Sequence, residues 1–338
     1  MSKSDQDDRT NKELDIASLD DFSKHKIDLS KEAEGKTQSE LLDLVLSKEE
    51  DELVPWEPVN LPSEGAYYDG ALPGGTVEVR PMGIYAEKVL STLRLAKSGE
   101  ALDLIYSKCV RYPGDFDPLN LLVGDSTFLL YYLRGITFGN MYEFIVKCSD
   151  PECGCSMTKQ FDFNTLAATI KGPVTEIGEE PFEVRLPYLS ESLGADFIVK
   201  VRLVRRYDLK TIISGRKTRD KLLAPTNARP SSLSKNFRKV QTTRSLNDIV
   251  EKNLNLVIVE AMGETSQSKI NGLVSRLHSS DSSTIREFLN DVSPGIDTTV
   301  TINCDECGNE MQVTLPITES FFRRTVIGGN REHVEAPS

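Results

Sequence analysis

Five of the six cysteines fall into two tight clusters far apart in the chain, and no other feature constrains the fold as much. The first cluster, FIVKCSDPECGCSM, carries Cys148, Cys153 and Cys155; the second, TINCDECGNEM, carries Cys304 and Cys307. Cys-x-x-Cys-Gly is the shape of a zinc knuckle. A tight turn lets two thiolates converge on one ion, and the glycine relieves the turn's backbone. One knuckle supplies two ligands, so a closed tetrahedral site needs a second. Six cysteines in 338 residues are too few for a disulfide scaffold, which points to metal in a reducing compartment. A disulfide reading stays open if the protein is used outside cells.

The clusters also repeat each other. Superimposing Cys153-Gly154 on Cys307-Gly308 puts Met157 on Met311, Phe161 on Leu315 and Asn164 on Thr318. An alternating strand precedes each cluster, with Tyr142, Phe144 and Val146 in one and Val300 and Ile302 in the other. A second strand follows each, then an Asn or Thr able to cap a helix. The first turn is two residues longer, and Cys148 and Cys304 are the matching outer thiols. The alignment predicts Cys148, Cys153, Cys304 and Cys307 as the ligands of one structural Zn2+. Cys155 aligns with Asn309 and is the spare. Cys-x-Cys and longer cysteine loops both occur in metal sites, so Cys155 remains open as a substitute for Cys148 or Cys153. Four thiolates leave no position for water or substrate, which argues against zinc catalysis. Closing the site staples a long excursion, 166–296, onto the rest of the chain.

Hydrophobic patterning predicts an α+β fold of helical segments and short antiparallel strands, in which the two knuckles form a split zinc-ribbon-like site. Residues 1–53 hold 16 acidic and 8 basic side chains and read as a disordered acidic tail. Within it Leu41, Leu42, Val45 and Leu46 follow Ser39 and predict a short amphipathic helix, either transient or a docking segment. Residues 54–165 form a largely helical region with the first knuckle. There a strand from Thr76 to Arg80 precedes a helix from Ile84 with Tyr85, Val89, Leu90, Leu93 and Ala96 on one face. A second helix from about Glu100 places Leu102, Ile105 and Cys109 on one stripe, which makes Cys109 a core thiol. Asp117-Pro118 marks a helix start, and Asp125-Ser126 begins another helix that Gly135 closes.

Residues 166–206 read as a β-hairpin region, with Phe182, Val184 and Leu186 in one strand and Phe197, Val199, Val201 and Leu203 in the other. Residues 207–245 form a basic flexible loop, and 246–295 a helical region. In the latter one helix carries Leu246 to Val257, another Ile270 to Leu277, and a third opens at Asp281 and ends before Pro294-Gly295. Residues 296–327 carry the second knuckle back onto the first, and 328–338 is a frayed tail.

Charge follows the same divisions. The formal net charge is −12, but residues 200–244 hold 14 Lys and Arg against Asp208 and Asp220. Such a stretch is a solvent-facing loop, an arm that docks on an acidic protein surface, or a phosphate binder. With Phe237 the only ring beyond Tyr207, composition favours the loop or protein-docking readings over single-stranded nucleic acid. No apolar run is long enough for a membrane span, and the N-terminus has no secretory h-region. The paired acids Asp115 and Asp117 fit turn and capping roles. His25, His278 and His333 lie where no neighbour orients a base, and no triad, cofactor fingerprint or phosphate-cradling loop is present. The sequence therefore leans against catalysis and predicts no small-molecule substrate.

LPSEGAYYDGALPGGTVEVRPMGIYAEKVLS (61–91) resembles the opening of the baseplate hub proteins of T-even-type contractile-tailed bacteriophages. GDSTFLLYYLRGITFGNMYEFIVKC (124–148) is similar to the family's next stretch, a capped helix, a turn and a strand into the first cysteine. The resemblance covers 61–165 and returns at 296–325 with the second cysteine pair. It implies a structural or assembly protein of the tail baseplate hub, with other tail proteins as partners. Its place would be the host cytoplasm during assembly and then the virion tail. The family offers no catalytic residues, and Cys148, Cys153, Cys304 and Cys307 match its paired-cysteine positions. The longer first loop with Cys155 departs from the family's simple form. The alternative is a zinc-ribbon nucleic-acid-binding factor that uses 200–244.

Overall fold

The computed structural model describes residues 29–48, 53–84, 100–174, 178–211, 254–317 and 319–322. Near the N-terminus helix α1, Gln38–Ser47, begins where the sequence places an amphipathic segment. Its cap is Thr37. The Thr37 hydroxyl accepts the Glu40 N–H while the Glu40 carboxylate accepts the Thr37 N–H at 2.8 Å, closing a capping box. No residue of α1 is buried, and Leu42 and Leu46 are exposed.

Strand β1, Glu57–Asn60, and β2, Thr76–Val79, pair antiparallel, with Val59 opposite Val77. Period-2 alternation buries Val77 and Val79 and turns Glu78 outward. The expected helix face Tyr85, Val89, Leu90, Leu93 and Ala96 lies outside the described residues. Helix α2, Glu100–Cys109, buries Ala101, Ile105, Tyr106 and Cys109, so Cys109 is the core thiol its spacing predicted. Strand β3, Val110–Arg111, then completes the sheet β1-β2-β3. Asp117 caps the short helix Pro118–Asn120 through the Leu119 N–H.

Helix α3, Val123–Phe138, is the centre of the molecule and is buried on nearly every side. Two expectations about its ends are corrected. Asp125 does not open the helix; it lies inside the first turn, fully buried, and spends its carboxylate elsewhere. It accepts the Ser63 N–H at 3.0 Å and the Tyr68 hydroxyl at 2.5 Å, pinning the 61–75 loop to the helix. Gly135 does not close the helix either; Gly139, at φ 87°, does.

Strands β4, Met141–Lys147, and β5, Ser156–Asp162, form a hairpin that turns Tyr142, Phe144 and Val146 inward. Asp162, not Asn164, caps the helical turn Phe163–Thr169 that follows. Strand β6 is Ile170–Lys171.

The expected hairpin of residues 182–203 is an antiparallel pair, β7 (Phe182–Arg185) and β8 (Ile198–Val201), but its link is a helix. That helix is α4, Pro187–Leu193, which stops at Gly194 in the left-handed region. A third strand, β9 (Ile258–Ala261), joins β8. It follows directly on the turn Leu254–Val257, the only described part of the helix expected over 246–257.

Helices α5, Gln267–Val274, and α6, Ser279–Val292, come next. The N-cap of α6 is His278, whose Nδ1 accepts the Ser280 N–H. Asp281, expected to open α6, accepts the Tyr188 and Leu189 N–H groups at 2.8 and 3.2 Å and so caps α4.

Strand β10, Gly295–Ile296, pairs with β6 and brings the excursion home. Strands β11, Thr299–Asn303, and β12, Glu310–Thr314, form the second hairpin. The close approach of Gly124 and Gly295 explains both glycines: a Cβ on Gly124 would stand 1.8 Å from the Pro294 carbonyl oxygen. The whole is a mixed helix and antiparallel-sheet architecture, as the patterning predicted.

The described part of the basic stretch is not a loose loop. Residues 206–211 are helical. Arg202 makes a two-pronged pair with Asp208 at 2.8 Å, Arg205 pairs with Glu180 at 2.7 Å, and Arg206 with Asp103 at 2.6 Å. Lys200 and Lys210 pair with Glu260 and Asp103. Residues 212–245 lie outside the described residues.

Candidate metal centre

Each cysteine cluster forms the turn of a two-stranded hairpin, and one backbone hydrogen bond closes both turns in the same way. The Cys148 N–H donates to the Cys155 carbonyl at 2.8 Å, and the Cys304 N–H to the Asn309 carbonyl at 2.9 Å. Gly154 and Gly308 both sit at positive φ, 53° and 71°, where glycine costs least. The strand registers repeat too: Val146 lies opposite Met157, and Ile302 opposite Met311. Both methionines are buried. The extra length of the first turn is absorbed at Asp150, whose carbonyl accepts the Cys153 and Gly154 N–H groups.

The two turns face each other. Asn309 Nδ2 donates to Ser149 Oγ at 3.1 Å, and Lys159 pairs with Asp305. This facing brings the predicted thiols together: the sulfurs of Cys148, Cys153, Cys304 and Cys307 all lie within 4.8 Å of one another. Cys148 and Cys304 are buried, and Cys307 is exposed. Cys148 Sγ is 3.7 Å from Cys307 Sγ, and Cys153 Sγ is 3.8 Å from Cys304 Sγ. A tetrahedron of thiolates with metal–sulfur bonds of about 2.3 Å has edges of about 3.8 Å, so these spacings suit an ion at the centre. Cys155 Sγ stands closer to Cys304 Sγ, at 3.3 Å, shorter than such an edge.

The Cys304 thiol is more acidic than an ordinary cysteine. Backbone hydrogen bonds from Cys307 and Glu306, with the Cys155 and Cys307 thiols, hold its pKa near 6 against the penalty of burial. Cys307 goes the other way. The Asn309 backbone favours its thiolate, but burial and hydrogen bonds to Cys304, Cys148 and Cys153 push it up to about 12. A divalent soft-to-borderline cation that binds such closely spaced thiols displaces their protons.

A clamp missed in the sequence holds the second hairpin against α3. Tyr131 and Tyr142 donate to the Leu315 and Pro316 carbonyls at 3.0 and 2.6 Å. Arg134, fully buried, donates to the carbonyls of Phe321 at 3.1 Å, of Met141 at 2.9 Å and of Gly139. Burial draws its pKa down to about 10, which still leaves it charged at neutral pH. The only advance sign was an arginine inside an otherwise apolar run, LLYYLRGITF.

Of the histidines, His278 is occupied as a cap and stacks on Tyr188 with ring centroids 4.0 Å apart; His25 and His333 lie outside the described residues. Among the described residues no helix is long and apolar enough to cross a membrane.

No curated protein matches the chain, and no solved structure does. Residues 65–323 match the family of the T4 bacteriophage base plate protein, a span that runs from the 61–75 loop through both cysteine turns to the clamp. The chain belongs to that base plate protein family.

Proposed function

We propose that the protein is a non-enzymatic structural or assembly component of the baseplate hub, held in shape by one structural zinc ion and acting by binding other tail proteins. The family match over 65–323 carries the baseplate role. The four-thiol group carries the zinc: two turns from distant hairpins converge with spacings that suit a tetrahedral ion. Cys148, Cys153, Cys304 and Cys307 would hold it. Zinc supplies cross-linking there, since four thiolates close its coordination shell. Calcium and magnesium do not suit an all-sulfur donor set.

Partner binding is supported by exposed apolar side chains on α1, Leu42 and Leu46, and by the unevenly distributed charge. The nucleic-acid reading loses ground because Arg202, Arg205 and Arg206 are held by acids of the chain itself. Assembly begins in the host cytoplasm and places the protein in the virion tail.

Two measurements test this. Tagged protein recovered from infected cells should bring tail tube, hub or wedge proteins with it; recovery with nucleic acid alone would reject the reading. Protein purified without chelator should contain one zinc per chain, and Cys307→Ser should lose it.

A further inference from the structure

The zinc reading leaves over a fifth thiol, and its position is informative. Cys155 Sγ lies 3.3 Å from Cys304 Sγ, nearer than Cys153 to Cys304 at 3.8 Å or Cys148 to Cys307 at 3.7 Å. The two longer spacings fit edges of a thiolate tetrahedron, about 3.8 Å. The shortest does not. It is a contact between two sulfurs with room for nothing between them, and a disulfide needs only a further approach to about 2.05 Å.

The turn does not need a cysteine there. Asn309 fills the equivalent place in the second hairpin, and the closing hydrogen bond uses only the Cys155 backbone carbonyl. Cys155 is also partly exposed, within reach of a small oxidant, whereas its partner Cys304 is buried.

We propose that Cys155 and Cys304 form a reversible disulfide that exchanges with the metal ion, so that a peroxide converts an ionic staple into a covalent one. This rests on the metal reading of the same site. The peroxide transfers one oxygen to the Cys155 sulfur as its O–O bond breaks, giving a sulfenic acid and one water. The Cys304 sulfur then attacks the Cys155 sulfur. The S–S bond forms, the S–O bond breaks, and the oxygen leaves as a second water with a proton from Cys304 or solvent. Two thiols lose two electrons and one peroxide gains them. With Cys304 withdrawn, three thiolates remain and the ion is released. In either state the 148–155 turn stays tied to the 304–307 turn, so the intervening excursion remains stapled in reducing and oxidising surroundings alike.

The test uses the full chain loaded with one equivalent of Zn2+ and treated with hydrogen peroxide. Zinc release is followed with a chromogenic chelator, and cross-linked peptides are mapped without reduction. Zinc release and the Cys155–Cys304 peptide should rise together, and dithiothreitol with fresh Zn2+ should reverse both. Cys155→Ser should bind zinc at the same stoichiometry and release it several-fold more slowly. Equal release rates from wild type and variant, or a cross-link between other cysteines, would overturn the proposal. Wild type that binds no zinc yet forms the Cys155–Cys304 peptide would reject the exchange together with the zinc reading. Wild type that binds zinc but never shows that peptide would reject the disulfide alone.

Discussion

Cys148 Sγ lies 3.7 Å from Cys307 Sγ although 159 residues separate them in the chain. A contact between such distant residues exists only in the folded chain, so an ion that binds only the assembled site adds its binding free energy to folding. Removing zinc with a strong chelator should therefore lower the melting temperature. For an ion at about a thousand times its Kd the loss is about 4 kcal/mol. Cys307→Ser should show the lower melt without chelator and no further drop with it. Identical melts for metal-loaded and chelated wild type would contradict the structural role.

The Gly124–Gly295 approach is a second point where the excursion rejoins the body. Gly124 lacks positive φ, so only space is at issue: its Cβ would fall 1.8 Å from the Pro294 oxygen, which is backbone and cannot rotate away. Gly124→Ala should destabilise by roughly 2–3 kcal/mol through forced displacement of β10 from α3. A denaturant midpoint unchanged from wild type would show that the two backbones part easily.

Arg134 makes a sharper prediction, because its guanidinium serves three carbonyls at once. Arg134→Met keeps much of the volume and strands those acceptors in the core, a loss on the order of 4 kcal/mol in urea unfolding. Arg134→Lys should recover only part of it, since an ammonium lacks the planar fork. Full recovery by lysine would mean that charge, not geometry, is what the clamp uses.

Asp125 predicts a pH dependence. Burial pushes its carboxyl up to about 6, against hydrogen bonds from Ser63 and Tyr68 that favour the ionised form. The folded chain therefore holds this proton at pH values where the unfolded chain, with a carboxyl near 4, has lost it. Such a group becomes less favourable as pH rises through the interval from about 4 to about 6, by about 3 kcal/mol in all. Asp125→Asn does not titrate, so wild type should gain most over the variant below pH 4 and lose that margin by pH 7. A stability difference that stays flat across this range would place the titration elsewhere.

What could be read from sequence was what repeats locally. The period-2 pattern placed Val77 and Val79 in a buried strand face, the helical stripe placed Cys109 in the core, and the repeated turns placed four thiols at one point. What escaped is set by partners remote in sequence. Asp125 and Asp281 each have the local signature of a helix start, yet both carboxylates serve backbone or hydroxyl donors of other segments. Local capping logic cannot see which donor competes for a carboxylate. The same holds for Arg202, Arg205 and Arg206, which composition counts as free positive charge and the fold pairs with acids.

Arg206 turns that last difference into a test of the nucleic-acid alternative. The residue is 7% exposed, and its guanidinium sits 4.3 Å from the centroid of the Tyr106 ring and pairs with Asp103 at 2.6 Å. Arg206→Met should cost roughly 2–3 kcal/mol of stability by leaving Asp103 less well matched and removing the packing on Tyr106. Any residual affinity for random duplex DNA should keep the same salt dependence, because an occupied, buried guanidinium releases no counterions. If Arg206 gripped a phosphate instead, its replacement would reduce the slope of log K against log salt by about 0.9. A drop of that size, measured by fluorescence anisotropy across a salt series, would mean that Arg206 leaves Asp103 for phosphate. The basic stretch would then belong to a nucleic-acid surface.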